Sequence, residues 1–274
     1  MKGFDEMNKK IGFIGFGKMA QAISKGILKS ESILPENIMA SAKTEVTYQK
    51  INTEYKIQSS RDNREVAAFS DILILAVKPD LHSGIISEIK DEIRESAIIV
   101  TIAAGISLDD LTTFFEKKIK AVRTMPNTPS FIGEGMTVLC PNEWVSDDDL
   151  QSVQTLFECV GETEVLEEKL MDAVPAISGS SPAYVYMMIE AMADGGVRLG
   201  IPRDKAYRLA SQAVLGAAKM VLESGTHPGE LKDNVCTPGG ATIEAVASLE
   251  QNQFRGAILD AMDSCFQKTK ALGN

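Results

Sequence analysis

Gly15, Gly17 and Ala20 stand in a G-x-G-x-x-A spacing between an apolar run, Ile11 to Ile14, and a stretch with Met19, Ala20, Ile23 and Ile27 at helical intervals. In such a strand–turn–helix the first glycine permits the tight turn. The second has no side chain to hold a pyrophosphate away from the main chain, and the third small residue lets helix and strand pack closely. The free N–H groups and dipole at the helix start then favour an anion. Two further clusters of small residues lie far along the chain, SGSSPAY (Ser178–Tyr184) and TPGGAT (Thr237–Thr242). The hydroxyls of Ser180 and Ser181, with helix-start N–H groups up to Ala183, suit a substrate carboxylate. Thr242, at a helix start, offers a hydroxyl to the nitrogen of an imine. Each feature has a plainer alternative: a tight βα turn without ligand, a Ser-Pro helix cap, a threonine cap.

The elements that must position these residues follow from periodicity. After the first helix, Glu36–Ser41 reads as a second strand, Tyr55–Ile57 as a short third, and Arg64–Phe69 as a helix after the polar turn SSRDN. Asp71–Val77, Ala97–Ile102, Lys120–Arg123 and Thr137–Cys140 read as further strands, and Ser146–Val160 as a helix capped by Ser146. Strands alternating with helices at this interval predict a parallel, doubly wound α/β sheet. Ligands of such sheets lie beyond the carboxyl ends of the strands, which aligns GFGKM, VKP (Val77–Pro79), AAG (Ala103–Gly105) and MPNTP along one edge. From Glu168 onward the pattern is helical only. A helix capped by Ser181 with Pro182 at its first position is apolar on nearly every face, so it must be buried, and a dimer is expected. Ile201-Pro202 opens the next helix, HPGELKDNV reads as a polar connector with a short helical turn, and two more helices end the chain. The expected division is 1–166, a Rossmann-type dinucleotide-binding domain, and 167–274, an all-α domain for substrate and dimerisation. Residues Met1–Lys10 read as a loose leader.

Bulk properties exclude several classes. The 274 residues carry a net charge of −10 with no basic cluster, which argues against nucleic-acid binding. No apolar run approaches a membrane span and no export signal is evident, so a cytoplasmic protein is expected. Cys140, Cys159, Cys236 and Cys265 show no CxxC pairing and read as reduced thiols. With His82 and His227 the only histidines, a His-based zinc site or a Ser-His-Asp triad is disfavoured, and no metal is expected.

The second strand ends in Ser41-Ala42 followed by Lys43, where binders of unphosphorylated NAD usually carry an acid for the ribose 2′-OH. Small and basic residues there favour NADP(H), with NAD(H) as the alternative. A Rossmann half followed by a helical half points to an oxidoreductase acting on a small molecule held between them. A β-hydroxyacid dehydrogenase would want a lysine on the first helices of the second half, yet none lies between Lys169 and Lys205. A protonated imine is already electrophilic and makes no such demand.

The motifs GFIGFGKMA, LAVKP, AAG, MPNTP, GEG (Gly133–Gly135), SGSSPAYVY, ADGGVRLGIPRDKAYRLASQAVLGAAKM and HPGELKDNVCTPGGATIEAV run through almost the whole chain. In this order the sequence resembles the pyrroline-5-carboxylate reductases. The resemblance implies NAD(P)H-dependent reduction of 1-pyrroline-5-carboxylate to L-proline, the last step of proline biosynthesis. It places the pyrophosphate on Ile14, Gly15, Phe16, Gly17, Lys18 and Met19, and the ribose phosphate near Ser41 and Ala42. Asn63, Ala76, Val77, Lys78, Pro79, Ala103, Ala104 and Gly105 would contact the rest of the cofactor, and Asn234 would reach it from the helical half. Ser178, Gly179, Ser180, Ser181, Gly240, Ala241 and Thr242 would surround the substrate, with Thr242 on the ring nitrogen as the catalytic residue. The resemblance also implies a homodimer that assembles further, to a decamer. Two positions depart from the family pattern: Ser181 replaces a glycine, and Ala42 replaces a residue that is often polar. The rival readings are a related imine or β-hydroxyacid reductase, and an NADP-binding protein without turnover.

Overall fold

The strand segments are nearly continuous in Ile, Val and Leu, the composition of strands covered on both faces. The computed structural model describes residues 8–272; most of the expected leader lies outside them. In chain order the elements are β1 (Ile11–Ile14), α1 (Lys18–Ser30), β2 (Ile38–Ser41), α2 (Glu45–Lys50), β3 (Gln58–Ser60), α3 (Asn63–Phe69) and β4 (Ile72–Leu75). Then come α4 (His82–Ile89), β5 (Ile98–Thr101), α5 (Leu108–Phe115), β6 (Lys120–Met125), β7 (Gly135–Pro141), α6 (Asp147–Glu158), β8 (Gly161–Val165) and α7 (Glu168–Met171). Helices α8 (Ser181–Arg198), α9 (Arg203–Ser224), α10 (Pro228–Val235), α11 (Ala241–Gln251) and α12 (Phe254–Leu272) complete the described chain.

The eight strands form one sheet in the order β3-β2-β1-β4-β5-β6-β7-β8. All neighbours are parallel except β6 and β7. The strand order reverses between β1 and β4, where Ile11 faces Ile72 and Ile14 faces Leu75. Alternate residues of each strand feed opposite layers: Leu73, Leu75 and Ile99 pack with Phe115 on one face, and Ile72, Ile74 and Val100 pack with Ile23, Ile27 and Phe157 on the other. The predicted doubly wound sheet is thus the observed one, and its first six strands follow the order of a dinucleotide-binding fold.

Several element limits differ from the sequence reading. The third strand is Gln58–Ser60, directly after the place expected for it, whose first residue, Tyr55, closes a π-helical turn at Ile51–Tyr55. Tyr55 instead sets its ring edge-to-face on Phe16, with centroids 5.0 Å apart, a packing role that its sequence neighbours do not reveal. Strand β8 was not foreseen, because GETEV carries exposed glutamates and lacks a clean apolar alternation. The cap position of α8 is Ser180, with Ser181 as the first helical residue. The expected connector HPGELKDNV is a full helix, α10, whose N-terminus is capped by His227 accepting from the Gly229 N–H at 3.1 Å.

By contacts the chain divides into two compact units, one running to Gly179 and including Cys265 onward, the other Ser180–Ser264. In the second unit α8 and α9 pair along small side chains: Ala193, Ala206 and Ala210 are its buried apolar residues, and a Cβ on Gly196 would lie 3.3 Å from that of Ala206. Its larger side chains stay open, Leu199 at 85%, Leu222 at 80% and Met187 at 70% exposure.

Helix α6 shows how the first unit is pinned. Ser146 and Asp149 form a reciprocal capping box, and Asp149 also accepts from Lys120 Nζ of β6 at 2.7 Å. Burial works against the Asp149 charge, but Lys120 and the Ser146 donors outweigh it and hold its pKa below the ordinary carboxylate value. A lowered folded-state pKa makes this contribution fully present above the unfolded value and lost as pH falls through the folded one. Asp149→Ala is expected to cost about 1–2 kcal/mol at neutral pH in urea unfolding. The difference from the unsubstituted chain should shrink as the buffer is acidified through that window.

Candidate functional site

The carboxyl ends of β1, β2, β4, β5 and β6 lie on one edge of the sheet, as parallel pairing requires. At the switch point Gly15 has φ +85°, and a Cβ there would meet Val77 Cγ1 at 2.7 Å and the Ala76 carbonyl oxygen at 2.8 Å. The Ala76 N–H donates to the Ile14 carbonyl at 2.9 Å, tying the turn after β4 to the end of β1. Gly17, by contrast, has open space where a Cβ would stand. It occupies the cap position of α1, which has neither a capping side chain nor an acid in its first turn. The leading N–H groups of a helix have no partner within it, so this N-terminus presents Lys18 and Met19 donors to an anion. Ala20 is buried, as close helix–sheet packing demands. These observations fit a dinucleotide pyrophosphate.

The other residues assigned to the edge differ in what they offer. Phe16 buries its ring against Phe13 and Tyr55, so its main chain is what remains for a ligand, and its carbonyl already accepts from Gln21 Nε2 at 2.9 Å. Ser41 is buried and donates its hydroxyl to Asn63 Oδ1 at 2.7 Å, while Asn63 Nδ2 donates to Glu88 at 3.1 Å. The structure thus brings Ser41 and Asn63 together across the ends of β2 and β3. Ala42 is half-buried and Lys43 exposed beside them. After β4, Ala76 and Val77 are half-buried and Lys78 and Pro79 exposed; after β5, Ala103 is buried, with Ala104 and Gly105 half-open.

Sequence reasoning gave MPNTP a place on the edge but no residue of it a role. Asn127, nearly buried, donates from Nδ2 to the Ser178 carbonyl at 3.0 Å and accepts the Met136 N–H at Oδ1, also at 3.0 Å. It therefore fastens the π-helical turn Pro175–Gly179, which carries Ser178 and Gly179, to β7. A buried asparagine must satisfy both ends of its amide, but the turn motif alone reveals neither its burial nor its partners. Arg123 of β6 supports the same segment: it is buried and pairs with Asp172 at 2.6 Å and Glu168 at 3.6 Å. Glu168 in turn accepts the Leu108 N–H at 2.7 Å. Beside Arg123 in register, burial and Glu168 push the Cys140 thiol up to about 11 against the pull of Arg123, leaving it protonated.

In the second unit, Ser180 and Ser181 open α8, whose first turn holds Pro182 and no acid. Asn234 lies exposed near the end of α10. The turn that follows is closed by the Gly240 N–H donating to the Thr237 carbonyl at 2.9 Å. A Cβ on Gly240 would stand 2.3 Å from Thr237 Oγ1 and 3.1 Å from its carbonyl oxygen, so a larger residue would have to displace the Thr237 hydroxyl. Gly240 is the cap of α11, and Ala241 and exposed Thr242 begin it. The cap position, the competing place for Thr242, is thus held by Gly240, and no side chain caps α11. Among the described residues no cluster of His, Cys, Asp or Glu is placed to hold a metal, and no helix is long and apolar enough to cross a membrane.

Sheet order, glycine turn and uncapped helix define a Rossmann-type protein built to receive a dinucleotide. The profile described as pyrroline-5-carboxylate reductase dimerisation matches residues 168–272, and that of NADP oxidoreductase, coenzyme F420-dependent, matches residues 10–105. A pyrroline-5-carboxylate reductase of Escherichia coli is 45% identical over 97% of this chain and 99% of its own. Two solved structures cover 98% of this chain and 100% of theirs. One is a pyrroline-5-carboxylate reductase from Coxiella burnetii (30% identity, TM-score 0.92), the other a pyrroline carboxylate reductase from Plasmodium falciparum with NADP bound (34%, TM-score 0.87). The chain belongs to the pyrroline-5-carboxylate reductase family.

The two glycines separate stability from binding. Gly15→Ala, strained at its φ and colliding with the Ala76 main chain, should lower stability in urea unfolding by about 2 kcal/mol or more. Gly17→Val should lose only about 1 kcal/mol, yet weaken NADPH binding in calorimetric titration by at least roughly tenfold, because its branched side chain enters the anion's approach.

Proposed function

We propose that this chain catalyses the NAD(P)H-dependent reduction of 1-pyrroline-5-carboxylate to L-proline. The observation that carries the reading is family membership over nearly the full chain, joined to a dinucleotide turn with the required glycine geometry. When bound, the dinucleotide supplies a hydride for the imine carbon. The chain's own contribution is binding and orientation. The N-terminus of α1 with Gly15–Met19 holds the pyrophosphate. The turns Ala76–Pro79 and Ala103–Gly105, with Ser41, Ala42, Asn63 and Asn234, hold the rest of the cofactor. Ser178–Ser181 receive the substrate carboxylate, Gly240 and Ala241 line the ring, and the Thr242 hydroxyl bonds the ring nitrogen, orienting it without acting as a base. The absence of an acid at the end of β2, with Lys43 exposed beside it, supports NADPH over NADH.

The functional division is a cofactor domain of residues 1–166 and a substrate and dimerisation domain of 167–274, the latter supported by the dimerisation profile over 168–272. The protein works as a homodimer able to assemble further, to a decamer, in the cytoplasm. Apolar side chains as open as Met187, Leu199 and Leu222 support a covering partner, since monomers rarely leave such surface to water.

Oxidation of NADPH, followed by its absorbance, should require added 1-pyrroline-5-carboxylate and run faster than with NADH. A folded chain inert with both cofactors would reject the reading. Thr242→Ala should lose most of the turnover, roughly a hundredfold for a lost hydrogen bond to the reacting nitrogen, while keeping its NADPH affinity; unaltered turnover would remove Thr242 from catalysis. In sedimentation the 29.6 kDa chain should run at twice that mass or more, and Met187→Glu on α8 should lower it.

A further inference from the structure

His82 is completely buried at the start of α4, and the function proposed above makes no use of it. Its Nδ1 lies 3.1 Å from the Lys78 carbonyl and its Nε2 3.0 Å from Thr101 Oγ1. Thr101 Oγ1 also accepts the Ala103 N–H at 3.2 Å. Only one arrangement of protons satisfies every atom. A carbonyl must receive a donor, so Nδ1 carries the proton; Nε2 then accepts the Thr101 hydroxyl hydrogen, and that hydroxyl oxygen accepts from Ala103. The string runs unbroken from the carbonyl of Lys78, in the turn after β4, to the amide of Ala103, in the turn after β5. The Thr101 carbonyl is held from the other side by the Thr124 hydroxyl of β6 at 2.9 Å. Burial lowers the His82 pKa against the opposing carbonyls of Lys78 and Pro79 and the charge of Asp80, which keeps the ring neutral as the string requires.

Among the described residues no main-chain hydrogen bond joins the two turns themselves, and just before them the Ile102 N–H reaches the Leu75 carbonyl at a long 3.5 Å. We propose that His82 is a positioning residue: through Thr101 it sets the spacing of the Val77–Pro79 and Ala103–Gly105 turns, and thereby the affinity for the dinucleotide. This rests on the assignment of both turns to the cofactor.

Four substitutions separate this role from plain packing. His82→Asn keeps a donor near the Nδ1 position but cannot reach Thr101, and Thr101→Val removes the hydroxyl at constant volume. Each should weaken NADPH and NADP+ binding in calorimetric titration by roughly tenfold, the scale of one lost buried hydrogen bond. The double variant should be no worse than either single one, as members of one string are not additive. Thr101→Ser and His82→Gln, whose amide reaches the Nε2 position, should restore most of the affinity. Stability is read in parallel by urea unfolding. If His82→Asn and Thr101→Val lose stability but bind NADPH like the unsubstituted chain, or if their effects on affinity add, the positioning role is refuted. If the unsubstituted chain itself fails to bind NADPH, the assignment of the turns falls, and this inference with it.

Discussion

Everything at the sheet's active edge depends on how closely the ends of β1 and β4 approach each other. The Ile14 carbonyl receives the Ala76 N–H, and Gly15 must turn away at positive φ within a space that admits no side chain. This contact sets where α1 begins, because Gly17 and Lys18 follow directly. It also sets where the turn after β4 leaves the sheet. A helix N-terminus acts on an anion only over about its first turn, so its placement has to be accurate at that scale. Apolar packing then freezes it: Phe16 and Ala20 are buried on one side of the turn, and the Phe16 carbonyl is held by Gln21, itself held by Lys50 at 3.1 Å.

The second unit obeys a different constraint. Its buried seam consists of alanines and Gly196, which allow helices to approach closely but bury little area each. At roughly 25 cal/mol per Å2, three buried alanines cannot offset the ordering of 85 residues. The larger apolar side chains of α8 and α9 are the remaining source of burial, and they face outward. A chain with this pattern is organised to complete its core against another surface, which is the physical content of a dimerisation profile matching this region.

Much of this was legible in the sequence, and the failures share a cause. Strands β1, β4 and β5 were found because a strand covered on both faces must be apolar throughout. Strand β3 lies three residues later than its expected place and β8 was missed, because QSS and GETEV lie at the sheet's two edges, where one neighbour and partial exposure leave no apolar signature. The α8 cap shifted by one residue, from Ser181 to Ser180, because adjacent serines present the same chemistry to a helix start. Within the site, the glycine turn was readable since it rests on backbone geometry that few residues allow. Asn127 and Thr101 were not, because their partners lie 51 and 19 residues away in sequence. Hydrogen bonds of that separation are decided by the sheet's order, and no local pattern records them.

The electrostatic design also resolves an apparent conflict. A chain of net charge −10 is read as binding a dinucleotide and a carboxylate, both anions, without a basic cluster. Most helices here carry an acid in the first turn, among them Asp109 and Asp110 of α5, Asp147–Asp149 of α6 and Asp204 of α9. Such acids neutralise the positive end of the helix dipole. The first turns of α1, α4, α8 and α12 carry none, and α1, α4 and α8 have no capping side-chain bond. Two of these helices, α1 and α8, begin within segments assigned to ligand phosphate or carboxylate, α4 directly follows a turn assigned to the cofactor, and α12 has no assigned ligand. Among the assigned segments α3, which begins at Asn63, has an Asp62 cap and Glu65 in its first turn, and α11 has Glu244 in its first turn; at α11 the proposed ligand atom is a protonated imine nitrogen, near which a carboxylate is favourable. On the proposed assignment, recognition of the anions falls to main-chain donors whose partial charges are fixed in direction. Their attraction reaches only short distances, so the acidic surface elsewhere keeps the chain soluble without opposing it.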